Sequence, residues 1–141
     1  MNANGNTQGI GSLGCFCIDC EDPAALAAFY LALLGGKITD DDPEWHELTL
    51  PNGAVMAFQQ VERLVPPRWP DPEAPQQYHL DVEVADMDAA QDAALAAGAR
   101  IVDERGREPH GFRVLADPAG HTFCLCRSAP AKLADRGRPA P

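Results

Sequence analysis

Residues 79–102 read HLDVEVADMDAAQDAALAAGARIV, and residues 15–38 read CFCIDCEDPAALAAFYLALLGGKI. Laid over one another, the two stretches put Asp86 on Asp22 and bring Gly98 and Gly35 to within one position. In each, a short run of alternating character leads into an aspartate suited to cap a helix, then an alanine-rich stretch, then a glycine stop. Pro23 fits the first turn of the first helix. Leu26, Phe29, Tyr30 and Leu33 recur at helical spacing and predict a face packed on a sheet. The reading is strand 13–19 and helix 23–34, then strand 77–85 and helix 87–97 with Asp86 or Asp88 as its cap.

The repeat continues past the helices. Strands are predicted at 37–39, 45–50 and 54–61 in the first half, with Pro51-Asn52-Gly53 as a hairpin turn. In the second half they are predicted at 99–103, 112–116 and 121–127, with Asp117-Pro118-Ala119-Gly120 as the turn. Gly53 then falls on Gly120. Each half is strand–helix–strand–strand–strand, and an internal repeat of a whole unit constrains the fold more than any single motif. The fold class is α+β, with two tandem βαβββ modules over 13–61 and 77–127. Between them, ERLVPPRWPDPEAPQ (62–76) holds five prolines in fifteen residues and excludes a strand or helix interior. Residues 1–12 read as a flexible leader and 128–141 as a disordered tail.

On the stretches 20–36 (CEDPAALAAFYLALLGG), 79–90 (HLDVEVADMDAA) and 112–125 (FRVLADPAGHTFCL), the chain resembles the vicinal oxygen chelate superfamily of glyoxalase I, bleomycin-resistance proteins and extradiol dioxygenases. The DPxGH-type turn at 117–121 points to its glyoxalase-like branch. The resemblance covers 13–127. It implies a curled mixed sheet around a shared cavity with the helices outside, and a homodimer. It does not imply one activity, because such a fold hosts isomerases, lyases, dioxygenases and ligand sequesterers.

Strand side chains alternate between faces. Cys15, Cys17 and Asp19 therefore share one face and Phe16 and Ile18 the other. His79, Asp81 and Glu83 oppose Leu80, Val82 and Val84, and Thr122, Cys124 and Cys126 oppose Phe123 and Leu125. The polar and sulfur sets are expected to line the cavity, together with Val55, Ala57 and Gln59. Metal-using relatives draw one ligand from each of four strands. The corresponding positions here are Cys15, Ala57, His79 and Cys124. Ala57 cannot ligate, so no resident metal is favoured. If one is present, zinc on Cys15, His79 and Cys124 is the compatible set. Without a metal the cysteines are compact wall residues. Cys17 and Cys20 form a CxxC by spacing alone, on opposite strand faces.

His79 with Asp81 or Glu83 is the candidate acid–base pair. The alternative places Asp19, Asp81 and Glu83 at a solvated rim or paired with Arg113 or Arg127. Trp69 is read either as an aromatic cap on the pocket or as a plug at the seam between modules. Trp45, His46, His110 and His121 are read as structural or surface groups. The ligand pocket is thus expected from Cys15, Cys17, Asp19, Ala57, Gln59, Trp69, Cys124 and Cys126.

The bulk numbers set the class of partner. Hydrophobic residues make up 45% of the 141, and the formal net charge is −10. That charge argues against a nucleic-acid or anionic-membrane partner and suits a neutral or cationic small molecule. No run approaches the roughly 18 apolar residues of a membrane-spanning helix, and the first residues lack a signal-peptide pattern. Five cysteines, an odd number, fit a reduced, cytoplasmic protein better than a disulfide framework. Two functions are open: a glyoxalase-like lyase or isomerase acting on an α-oxygenated carbonyl metabolite, or a metal-free, bleomycin-resistance-like ligand sequesterer.

Overall fold

The computed structural model describes residues 5, 7–103 and 111–127. The expected tail at 128–141, much of the segment before β7 including His110, and residues 1–4 and 6 of the expected leader lie outside the described residues.

The elements follow the repeat: β1 (Phe16–Cys20), α1 (Pro23–Leu34), β2 (Lys37–Asp42), β3 (Trp45–Thr49), β4 (Val55–Gln60), β5 (Leu80–Val84), α2 (Met87–Ala97), β6 (Arg100–Asp103), β7 (Phe112–Ala116) and β8 (Thr122–Arg127). They make two four-stranded sheets, sheet A in the order β1-β4-β3-β2 and sheet B in the order β5-β8-β7-β6. In each, the first strand runs parallel to the last and the rest pair antiparallel. Phe16 pairs with Met56 and Leu80 with Phe123. These registers make Cys15 the counterpart of His79 and Ala57 the counterpart of Cys124, as the repeat predicts.

Both helices begin as their sequences dictate. The Asp22 side chain accepts from the Ala25 N–H at 3.0 Å and that of Asp86 from the Ala89 N–H at 3.0 Å, filling donors that a helix start leaves free. Gly98 ends α2 at φ 118°, a left-handed geometry that favours glycine.

Three strand bounds differ from the expectation by more than one residue. β1 begins at Phe16, not at 13, because Ala54 is held in the β3–β4 turn by Leu50 and Asn52; the partner ladder therefore starts only at Val55, and Leu13 is exposed. β2 runs on through Asp40, Asp41 and Asp42, residues with little strand preference, because a tight turn pairs Asp42 with Trp45. Charge on an outer strand also discourages edge-to-edge pairing. β5 begins at Leu80, where its pairing with β8 begins.

The helix-bearing faces of both sheets contribute to one hydrophobic core. Phe29 of α1 packs edge-on to Tyr30 and also meets Phe123 of β8 at 5.8 Å between ring centroids, while Tyr30 stacks on Phe58 of β4. The Tyr30 hydroxyl donates to Asp117 Oδ2 at 2.7 Å, joining the first helix to the last turn. No strand of sheet A pairs with a strand of sheet B among the described residues. The sheets do not close on one another. Each keeps one face on the shared core and one face away from it. Among the described residues no helix is long and apolar enough to cross a membrane.

Candidate functional site

The face of sheet B away from the core carries the expected set. Asp81 pairs with Cys124, Cys124 with Val114 and Val114 with Asp103, so these four side chains form a row across one face. Phe123, Leu125 and Leu115 point the other way into the core. Arg113 also points that way. It donates to Asp88 Oδ1 at 2.7 Å and Gln91 Oε1 at 2.9 Å on α2, so it is committed to the helix and not to Asp19, Asp81 or Glu83.

At the β5 edge of this row, His79 Nε2 lies 3.2 Å from Asp81 Oδ1. The ligating atoms of His79, Asp81 and Cys124 all lie within 4.8 Å of one another. Cys124 is buried while the other two are exposed. Its thiol is pushed up to about 12, first by burial, then by the negative charge of Asp81 and by the hydrogen bond between them. At neutral pH it is therefore a thiol held against Asp81. Asp81 thus lies against both His79 and Cys124.

A cleft of about 440 Å³ between the unpaired edges of β1 and β5 meets this cluster at His79; Asp81 and Cys124 do not line it. Its walls include Phe16, Tyr30, Leu64, Tyr78 and Leu80, with His79 and Thr122 as polar groups. Cys17 and Asp19 reach it from sheet A. The His121 ring nitrogen bonds the Asp19 carbonyl at 2.7 Å, which ties the two sheets beside the cleft. Glu83 and Cys126 continue along the His79 and Cys124 faces, half-buried.

The remaining expected residues divide. Cys17 is exposed and its thiol lies 3.8 Å from Gln59 Oε1; burial, Cys15 and Asp19 raise its pKa. Cys20 sits in the core, its thiol raised to about 11, chiefly by burial. Ala57 is fully buried. Trp69 is half-buried and donates its indole N–H to Asp103 Oδ2 at 3.1 Å, at the end of the row opposite Asp81. It is not among the residues lining the cleft. His46 is buried on the core side of β3, and Trp45 donates to Glu47 at 2.9 Å.

The expected zinc set is corrected in one member. The donors brought together are His79, Asp81 and Cys124, and Cys15 is not in the group. Cys15 precedes β1 in sheet A, whereas Asp81 and Cys124 pair on adjacent strands of sheet B and His79 immediately precedes β5. The donor types are those of a zinc site, and Lewis acidity is the chemistry such an ion would supply there. Of the four positions implied by the resemblance, Ala57 contributes no donor atom.

A feature that strand alternation did not single out lies on sheet A. Asp40, Asp42, Glu44, Glu21 and Glu62 surround a basin of about 980 Å³ that also includes Trp45 and Gln59. Its acidic residues come from β2, two turns and the connector, so no local pattern in the sequence assembles them.

Comparison with known proteins sets this geometry in context. A family model described as a glyoxalase-like domain matches residues 15–126. The chain belongs to the glyoxalase-like domain family. No match is found among curated proteins. Solved structures similar to this glyoxalase-like domain include a glyoxalase/bleomycin resistance protein/dioxygenase family enzyme from Burkholderia phytofirmans PsJN, with 18% identity, 84% of this chain and 100% of that chain covered, and a TM-score of 0.66. A glyoxalase-related enzyme from Fulvimarina pelagi gives 22% identity, 84% and 89% coverage, and a TM-score of 0.60. The fosfomycin resistance protein FosX from Listeria monocytogenes gives 15%, 88% and 98%, and 0.64. At these identities the likeness is one of fold.

Proposed function

We propose that this glyoxalase-like domain binds a small molecule at the β1–β5 cleft, with His79 and Asp81 as its polar anchors. The observation that carries the reading is the convergence of His79, Asp81 and Cys124 beside a cleft with largely apolar walls. A concave apolar site with a few converging polar groups is the usual form of a ligand pocket. As an enzyme it is a lyase or isomerase for an α-oxygenated carbonyl compound: His79, oriented by Asp81, takes the proton next to the carbonyl and returns it. Glu83, on the same face, is the further carboxylate available to that pair.

A second reading, a metal-free sequesterer, is favoured by Ala57, which contributes no donor atom at one of the four positions implied by the resemblance. The net charge of −10 suits a cationic ligand in that case. Two of the three structures compared above carry resistance in their names, which adds support at the level of class. A thermal-shift screen with α-hydroxy carbonyl compounds and basic antibiotics, followed by a turnover assay of each hit, tests both. Stabilisation with turnover supports the enzyme and stabilisation alone the sequesterer. No stabilisation by either class contradicts the proposal.

The site is proposed to work without a resident metal. Elemental analysis of protein purified without chelator or nickel resin is expected to give far less than one zinc per chain. About one zinc, lost in both His79→Ala and Cys124→Ala, would make the zinc-dependent enzyme the better account.

The functional unit is proposed to be a homodimer in a reducing, cytoplasmic setting. The resemblance supports pairing, and the exposed Leu13 and Val65 supply apolar surface outside the cleft. Light scattering at micromolar concentration is expected to give about twice the 15.1 kDa of one chain; the mass of a single chain would refute the dimer.

A further inference from the structure

Sheet B's outer face is covered over its inner half. Val114 and Ala116 are 2% and 0% exposed, although they share the face of Cys124 and Thr122 and α2 packs on the opposite one. The proline-rich connector attaches to residues beside them. Trp69 donates to Asp103, the strand neighbour of Val114. The Thr122 hydroxyl, on the strand neighbour of Ala116, donates to Gln76 Oε1 at 2.6 Å. Pro66 lies where a Cβ added to Gly120 would come within 2.7 Å. These contacts sit at the two ends and near the middle of the segment 66–76.

Between them the segment is folded on itself. The Arg68 N–H donates to the Ala74 carbonyl at 2.7 Å, the Asp71 N–H to the Arg68 carbonyl at 2.7 Å, and the Arg68 side chain pairs with Asp71 at 2.8 Å. A loop with its own internal bonds moves as a body more readily than it unravels. Among the described residues its polar attachments to sheet B are the bonds to Asp103 and Thr122, and segments held by few contacts open at lower free energy than the whole fold.

We propose that residues 66–76 form a strap over sheet B that controls access to Cys124, with the Trp69–Asp103 bond as its latch. Its role in ligand entry rests on the reading of the His79–Asp81–Cys124 cluster as the binding site. The strap itself does not need a ligand to be seen. With the latch closed, Cys124 stays 7% exposed; with it open, the row from Asp81 to Asp103 becomes one continuous groove.

The test is native-state alkylation of the full chain with iodoacetamide, read at each cysteine by tandem mass spectrometry. Exposed Cys17 serves as the fast reference and Cys20, 1% exposed in the core, as the reporter of global opening. Trp69→Ala and Asp103→Ala are expected to raise the Cys124 rate about tenfold or more, with Cys20 unchanged. Trp69→Phe keeps the ring, loses only the N–H, and should give a smaller rise with the fold intact. The strap is overturned if the Cys124 rate stays at the wild-type value in all three variants. It is equally overturned if that rate rises only in step with Cys20, Trp69→Phe included. A failed ligand screen leaves these rates unaffected, so the two proposals fail separately.

Discussion

Asp117→Ala is expected to destabilise the fold by about 3–4 kcal/mol, the largest effect of any single polar substitution considered. Asp117 is buried, and its Oδ1 accepts from the N–H groups of Ala119, Gly120 and His121 at 2.9–3.0 Å while Oδ2 accepts from Tyr30. Removing the carboxylate takes a partner from four donors, of which the Gly120 N–H keeps the Asp117 backbone carbonyl. Each buried donor left unmet costs about 1–3 kcal/mol, and the sum is reduced because the turn relaxes and the losses are not additive. For a chain of this size the melting temperature should fall by roughly 10 °C. Tyr30→Phe keeps the stack on Phe58 and removes only the hydroxyl, so about 1–2 kcal/mol is expected. Urea unfolding with an unchanged slope measures both. A loss under about 1 kcal/mol for Asp117→Ala would mean that this turn is not what joins the two modules.

His79→Ala is expected to weaken binding of any ligand found in the screen by roughly 10- to 100-fold, the equivalent of about 1.4–2.7 kcal/mol. The His79 side chain is 38% exposed and belongs to no core cluster, so the variant should fold normally. Asp81→Asn should give a smaller loss, since the amide still contacts His79 but no longer accepts from both neighbours as a carboxylate. Glu62→Gln, in the acidic basin on sheet A, should leave affinity for an uncharged ligand unchanged. Calorimetric titration of the three variants separates the two cavities.

The repeat made the modules legible. Asp22 and Asp86, with the glycines after them, mark both helices to the residue, because a helix start and stop are local chemistry. Alternation likewise sorted Phe123 and Leu125 from Cys124. The errors arise where a partner decides. Residues 13–15 have strand character, but β4 supplies no ladder opposite them. Asp40 to Asp42 lack it, yet a hairpin carries them along. Cys15 and His79 are true counterparts in the repeat, but equivalence in two modules is not proximity. Whether they meet depends on how the modules pack, and here that is decided by Phe29, Tyr30 and Phe123. The path of the connector was equally hidden: its prolines exclude regular structure and say nothing of the surface it crosses. The connector sequence does not tell cap from plug for Trp69, whose indole bonds Asp103 at the end of the row away from Asp81.

The central claim is that the ligand site is the His79–Asp81–Cys124 end of sheet B. Amide chemical-shift mapping of isotope-labelled protein, titrated with a hit from the screen, tests it most directly. The account predicts that the shifted amides cluster at residues 77–83 and 121–126, with Cys17 and Asp19 across the cleft. Shifts confined to Glu21, Asp40 to Trp45 and Gln60 to Glu62 would place the site in the acidic basin of sheet A and contradict it.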